Sequence, residues 1–208
     1  CQVKIGSFPR RFHELIERTV GLIDVPQTTP GAKASPTESL MGSCYANELD
    51  YIASFEQQAD LYSERLYEIY QAGTNSNVNY PEVYPFSAPA GRLGNPLSGQ
   101  LRLIARLLSG GIQTKMFLTK IGGFDTHASQ VEGFDTTMGN HSALLYHTFG
   151  AIKAFMDDIK LLGLEDKVAV MTFSEFGRRI ASNGSFGTDH GSAAPVFLFG
   201  KNINPGII

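Results

Sequence analysis

The strongest constraint on this chain is a pair of short apolar runs set on either side of a polar, glycine-rich stretch. VAVMTF (168–173) and PVFLFG (195–200) are dense in β-branched and aromatic residues, and neither alternates with polar ones. Continuous runs of that length suit the buried strands of a parallel sheet, whose two faces are both covered by helices. QTKMFLTKI (113–121) reads as a further strand, stopped by Gly122-Gly123. Leu144, Thr148, Ile152, Phe155, Ile159 and Leu162 recur at helical spacing and predict a helix over 141–162, with Asn140 as its N-cap and Gly163 at its C-terminal end. The order helix–strand–helix–strand–strand predicts an α/β fold, a mainly parallel sheet flanked by helices. Three strands are few for such a sheet, so the expectation is one incomplete at its N-terminal side.

The strand-forming part begins near Ser98, which divides the chain into a helical, loop-rich region 1–97 and an α/β region 98–208. In the first region, residues 8–20 form an amphipathic pattern and 21–43 a Pro/Thr/Ser/Gly-rich loop. Leu49, Ile52, Phe55, Ala59, Tyr62, Leu66 and Ile69 then make one apolar stripe, a long helix over about 44–71 ended by Gly73. The Pro- and Asn-rich stretch 73–97 carries too many Tyr and Phe for a solvated linker. Leu101, Ile104, Ala105 and Leu108 form a helix closed by Gly110-Gly111.

Composition narrows the function classes. With 14 Phe, 8 Tyr and 42% hydrophobic residues, the chain is not intrinsically disordered. A formal charge of −3 leaves no basic surplus for a phosphate backbone, so nucleic acid is not an expected partner. No apolar run approaches the ~18 residues of a membrane span. Cys1 and Cys44 fit either a disulfide or two free thiols. Arg10-Arg11-Phe12 resembles the start of a twin-arginine signal, but HELIER follows it where an apolar segment would have to stand.

Ligands of open α/β sheets bind beyond the carboxyl ends of the strands. GGFDTH after 113–121 brings Asp125 and His127; SEFGRR after 168–173 brings Ser174, Glu175, Arg178 and Arg179; GTDHG before 195–199 brings Asp189 and His190. Imidazoles with carboxylates are the donor set of Zn, Mn or Fe sites, whereas Ca and Mg sites rarely use His. Each residue also has an ordinary structural reading. Asp-X-His is a common turn, Glu175 can pair with Arg178 or Arg179, and Asp189 can brace the neighbouring imidazole. His13 and His147 read as surface residues, His141 as a weaker candidate, and Asp135, in a second GFDT without the His, as a decoy.

GGFDTHASQ, IKAFMDDIKLLGL, VAVMTFSEFGRR and NGSFGTDHGSAAPVFLFG together resemble the family catalogued as domain of unknown function 1501, strongly over 98–208 and more loosely over the long helix before it. That family is grouped with the alkaline phosphatase-like superfamily, and its members are typically exported bacterial proteins. The resemblance implies that Asp125, His127 and His190 share one divalent metal, Zn or Mn, that Glu175 serves a second, and that Asp189 is a further ligand. It also implies a periplasmic or secreted protein acting on a phosphate or sulfate ester, with Arg178 clamping an ester oxygen. Glu-Phe-Gly stands where the superfamily has Asp-His-Gly, so the second site lacks an imidazole. The superfamily's nucleophile strand has no counterpart before residue 98, and Ser174 has no adjacent His to activate it. The implied function is a metal-dependent ester hydrolase. The alternative is a non-catalytic exported protein that keeps the fold and a metal or anion site. Pairing with an N-terminal half, or self-association, is the expected partner interaction.

Overall fold

The computed structural model describes residues 62–86 and 92–207. The amphipathic pattern at 8–20, the loop at 21–43 and the first part of the long helix lie outside them. Helix α1 covers residues 62–72, α2 is Pro96–Ser109 and α3 is Asn140–Leu161. Four short strands follow: β1 (Val170–Met171), β2 (Gly177–Ser182), β3 (Thr188–Gly191) and β4 (Leu198–Phe199).

Local chemistry sets the helix ends. The Asn95 side chain accepts from the Leu97 N–H, and Pro96 takes the first turn, where its missing N–H costs nothing. At the other end, the Gly111 N–H donates to Leu108 O and the Ile112 N–H to Leu107 O, both at 3.1 Å. Helix α3 closes in the same way, with the Gly163 N–H to Lys160 O (3.0 Å) and the Leu164 N–H to Ile159 O (2.9 Å). Both closures are Schellman motifs, and each needs a left-handed residue, here Gly111 (φ 85°) and Gly163 (φ 71°). The N-terminus of α3 differs from expectation. Its cap is Gly139, with no side-chain bond; the Asn140 side-chain oxygen, the acceptor a cap would need, takes the Arg92 Nε–H at 3.2 Å, and the amide donates to Ser129 O.

Helix α2 is the middle layer. Leu101, Ile104 and Ala105 meet Ala151, Ile152, Phe155 and Ile159 of α3, together with Leu97 and Tyr80. Leu103 and Leu107, offset by one helical face, meet Leu66 and Ile69 of α1. The 73–86 stretch thus packs inward through Tyr80 and Tyr84, as its aromatic content requires. His147, read from the sequence as a surface residue, is buried beneath Tyr84 and Tyr146, and its Nε2–H donates to Arg92 O at 2.7 Å.

The sheet departs from the parallel arrangement expected. The chain is mixed α/β, but its described strands pair antiparallel: β1 with β4, Val170 opposite Phe199, and β2 with β3, Arg178 opposite His190. The connection explains the direction. Parallel neighbours need a crossover, usually a helix, whereas only the β2–β3 hairpin separates β1 from β4. An apolar run does not itself encode strand direction. Met171, Phe173, Val196 and Leu198 are exposed, so this pair is covered on one side only. Residues 113–121 form no strand ladder among the described residues. They keep the alternation of one, with Phe117 and Ile121 packed on the core and Met116 and Leu118 in solvent. The Gln100 side chain takes the place of a strand neighbour, accepting from the Lys120 N–H (3.1 Å) and donating to Lys120 O (2.9 Å).

Candidate functional site

The site is built on the β2–β3 hairpin and the loop that follows residue 121. Glycines allow the close contacts. A Cβ on Gly177 would lie 2.5 Å from Gly191 O across the hairpin, and one on Gly187 only 2.2 Å from His127 O in the loop. Arg178 fastens the loop to the hairpin: its guanidinium donates to Thr188 O and to Phe124 O and lies 3.4 Å from Asp125. Gln130 adds a second tie, its side-chain oxygen accepting from Thr126 Oγ1 (3.0 Å) and Thr188 Oγ1 (2.9 Å).

On this frame Asp125, His127 and His190 come together. His190 Nε2 is 2.7 Å and His127 Nε2 is 3.2 Å from the same Asp125 oxygen. The two imidazole centroids are 4.7 Å apart. One donor atom from each residue lies within 4.8 Å of the others, close to the roughly 3–4 Å that ligands at ~2.0–2.2 Å from one ion require. Two imidazole nitrogens and a carboxylate oxygen suit Zn or Mn, so the donor set fits such an ion. All three side chains are about half exposed, open to solvent and to an incoming ligand. The ring of Phe176 stacks on His190 at 4.3 Å and 14°, fixing that imidazole's plane.

The electrostatics keep the carboxylates ionised. The hydrogen bond from His190 outweighs desolvation and, with the charges of His127, His190 and Arg178, holds Asp125 below the ordinary carboxylate value. Bonds from Asn183 and His127 lower Asp189 likewise. Burial, reinforced by the Arg178 charge, lowers His141, whose ring meets Phe124 edge-on.

The other residues singled out in the sequence fall elsewhere. Asp189 is not among the three clustered donors; it lies on the far nitrogen of His127, accepting from Nδ1 at 3.2 Å. It therefore braces His127, not its neighbour His190. Glu175 is exposed, joins no cluster and has no hydrogen bond or ion pair among the described residues, because it precedes the hairpin that carries the site. Arg178 is engaged with backbone carbonyls, its side chain only 19% exposed, which leaves no free fork for an ester oxygen. Asp135 closes a turn through the N–H and hydroxyl of Thr137. Two contributors escaped the sequence reading. Phe176 had no polar atom to attract notice, and Asn183 in Asn-Gly-Ser reads as turn chemistry.

The profile of a family described as "Protein of unknown function (DUF1501)" matches residues 30–208. The chain belongs to that family. No curated protein and no solved structure matches it.

Proposed function

We propose that this chain is part of an exported, alkaline phosphatase-like protein that uses one divalent cation, Zn or Mn, in hydrolysing a phosphate or sulfate ester. The observation that carries the reading is the convergence of Asp125 and His127, from one loop, and His190, from β3, onto one solvent-open point. Bound there, the ion would polarise an ester oxygen and offset charge on the transferring group. The chain's own residues hold and orient. Asp125 supplies the anionic ligand, His127 and His190 supply nitrogen lone pairs, and Phe176 holds the plane of His190. Arg179, exposed and loosely paired with Asp189 at 4.0 Å, stands beside the site where it can meet an anionic substrate. The uncovered apolar face of the β1–β4 pair supports packing against a further part of the protein or a second copy. No described helix is long and apolar enough to cross a membrane.

A second reading, a cation site for binding or structure without turnover, is favoured by specific placements. Glu175 stands apart, Arg178 is occupied, and Ser174 is exposed with no hydrogen bond to a His among the described residues. Calorimetric titration with zinc and with manganese, paired with hydrolysis of nitrophenyl phosphate and nitrophenyl sulfate, separates the readings. Binding and turnover that both vanish in His190→Ala establish the hydrolase. Binding without turnover on either ester moves the site to the second reading. Absence of binding ends both.

A further inference from the structure

We propose that Asp189 and Asn183 form a positioning pair that holds His127 with its proton on Nδ1 and presents its Nε2 to the cation position. The inference rests on the cation reading above and assigns these two residues a role in that same site. Asp189 accepts from Nδ1 at 3.2 Å. An ionised carboxylate only accepts, so this hydrogen bond puts the hydrogen on Nδ1. Nε2 also meets a carboxylate, Asp125 Oδ1 at 3.2 Å, but as an ion-pair contact without hydrogen-bond geometry, and it is the nitrogen that faces the cation position beside Asp125 and His190. A neutral imidazole left to itself favours the opposite tautomer, with the hydrogen on Nε2, where it would block a ligand bond.

Asn183 secures the arrangement from both ends. Its Nδ2 donates to Asp189 Oδ1 at 3.0 Å and to the His127 carbonyl at 2.7 Å. One amide thus grips the backbone of His127 directly and its ring through Asp189. The orientation of that amide is set in turn, because Asn183 Oδ1 accepts from the Ser185 N–H at 3.0 Å. The Asn183 N–H donates to Gly187 O at 3.1 Å and closes the tip of the hairpin. Neither side chain belongs to the three clustered donors. Carboxylates placed on the far nitrogen of a ligating histidine fix its tautomer and ring orientation, and removing them costs ~10–100-fold in metal affinity.

The test uses the whole chain in four forms: wild type, Asp189→Ala, Asn183→Ala and Asp189→Asn. The His127 tautomer is read by long-range ¹H–¹⁵N NMR in metal-free protein at a pH where imidazole is neutral. Zinc affinity is read by competition with a chromophoric chelator, and folding by circular dichroism. The wild type is expected to hold Nδ1–H. Both alanine variants shift His127 toward Nε2–H and bind zinc ~10–100-fold more weakly while keeping the wild-type spectrum. Asp189→Asn, which keeps an acceptor oxygen, restores the tautomer and part of the affinity. An unchanged tautomer in Asp189→Ala overturns the proposal, and Asn183→Ala serves the same purpose should that variant not fold. If the wild type binds no zinc, the cation reading falls by itself, and the tautomer readout still decides the positioning pair.

Discussion

The Tyr80 hydroxyl donates a 2.8 Å hydrogen bond to the carboxylate of Asp158, and both side chains are sealed in the core between α2 and α3. The Ser76 N–H donates to the same carboxylate at 3.0 Å and the Asn75 amide approaches at 3.5 Å, so the 73–86 stretch is stitched to α3 through one buried acid. Burial first, then the bond to Asp158 and its negative charge, push the Tyr80 hydroxyl well above its ordinary value of 10.0. Tyr80→Phe removes the only hydroxyl donor to this buried carboxylate among the described residues, at almost no cost in volume. It should lower stability by ~1.5–3 kcal/mol, the range for a hydrogen bond to a charged partner. Urea unfolding measures this directly. A midpoint within error of wild type would mean that water or Asn75 compensates fully.

Gly187 is a steric test of the site. Its φ is not in the left-handed range, so its requirement comes from space alone: a Cβ would fall 2.2 Å from His127 O and 2.7 Å from Thr126 O. Backbone atoms cannot swing aside as a side-chain tip can. Gly187→Ala should therefore push the 124–127 loop off the hairpin. The expected cost is ~1–3 kcal/mol in stability, with weakened zinc binding because Asp125 and His127 move relative to His190. Gly94→Ala, where a Cβ meets nothing within 4 Å, is the control and should bind zinc as wild type does. Equal zinc affinity in the two variants would show that the loop does not depend on this contact.

The pH dependence of stability should carry a signature of His141. Its folded value lies below the ordinary 6.5, through burial and then the Arg178 charge. The unfolded chain therefore takes up the proton first as pH falls. Stability is at its full level above about 6.5 and declines below it, toward the depressed folded value. Asp125 and Asp189 are lowered from 3.8, so the stability tied to their ionisation is lost only in a more acid window. Melting temperatures taken from pH 8 to pH 5 should fall in wild type and flatten in His141→Gln. An unchanged slope in that variant would assign the decline to another group.

How far the sequence spoke for itself depended on whether the signal was local. The Gly163 closure of α3 was legible, since a left-handed residue one position past a helical stripe has a local cause. So was the meeting of Asp125, His127 and His190, each placed in a segment that adjoins an apolar run. Strand direction was not legible, because VAVMTF reads the same whichever way its partner runs. The burial of His147 depends on the stretch around Arg92 and on Tyr84, distant in sequence. The Asn140 cap failed for a similar reason: Arg92, distant in sequence, donates its Nε–H to the side-chain oxygen that the helix end would have used. Asp189 was found as a residue but given the wrong partner. Adjacency to His190 suggested a brace there, yet the Asp189 carboxylate lies on Nδ1 of His127, a residue distant in sequence.

Arg178 separates a structural cation from a substrate clamp most sharply. Its fork spans two segments, donating to Thr188 O on β3 and Phe124 O in the loop, and it lies 5.2 Å from the Phe176 ring centroid. Lysine keeps the charge but has a single compact head that does not reproduce a planar fork. Arg178→Lys should therefore lose one of the two carbonyls and destabilise the chain by ~1–3 kcal/mol, and Arg178→Ala by more, since both carbonyls and the face of Phe176 lose their partner. Zinc binding should weaken in parallel, because Asp125 is carried by the segment that Arg178 holds. A substrate clamp predicts the contrary pattern: normal unfolding midpoints and normal zinc affinity, with loss confined to the binding of an anion such as inorganic phosphate to the zinc-loaded chain. Urea unfolding, zinc titration and phosphate titration on the same two variants decide between them. Wild-type stability in Arg178→Ala together with lost phosphate binding would return Arg178 to the role that the resemblance implied.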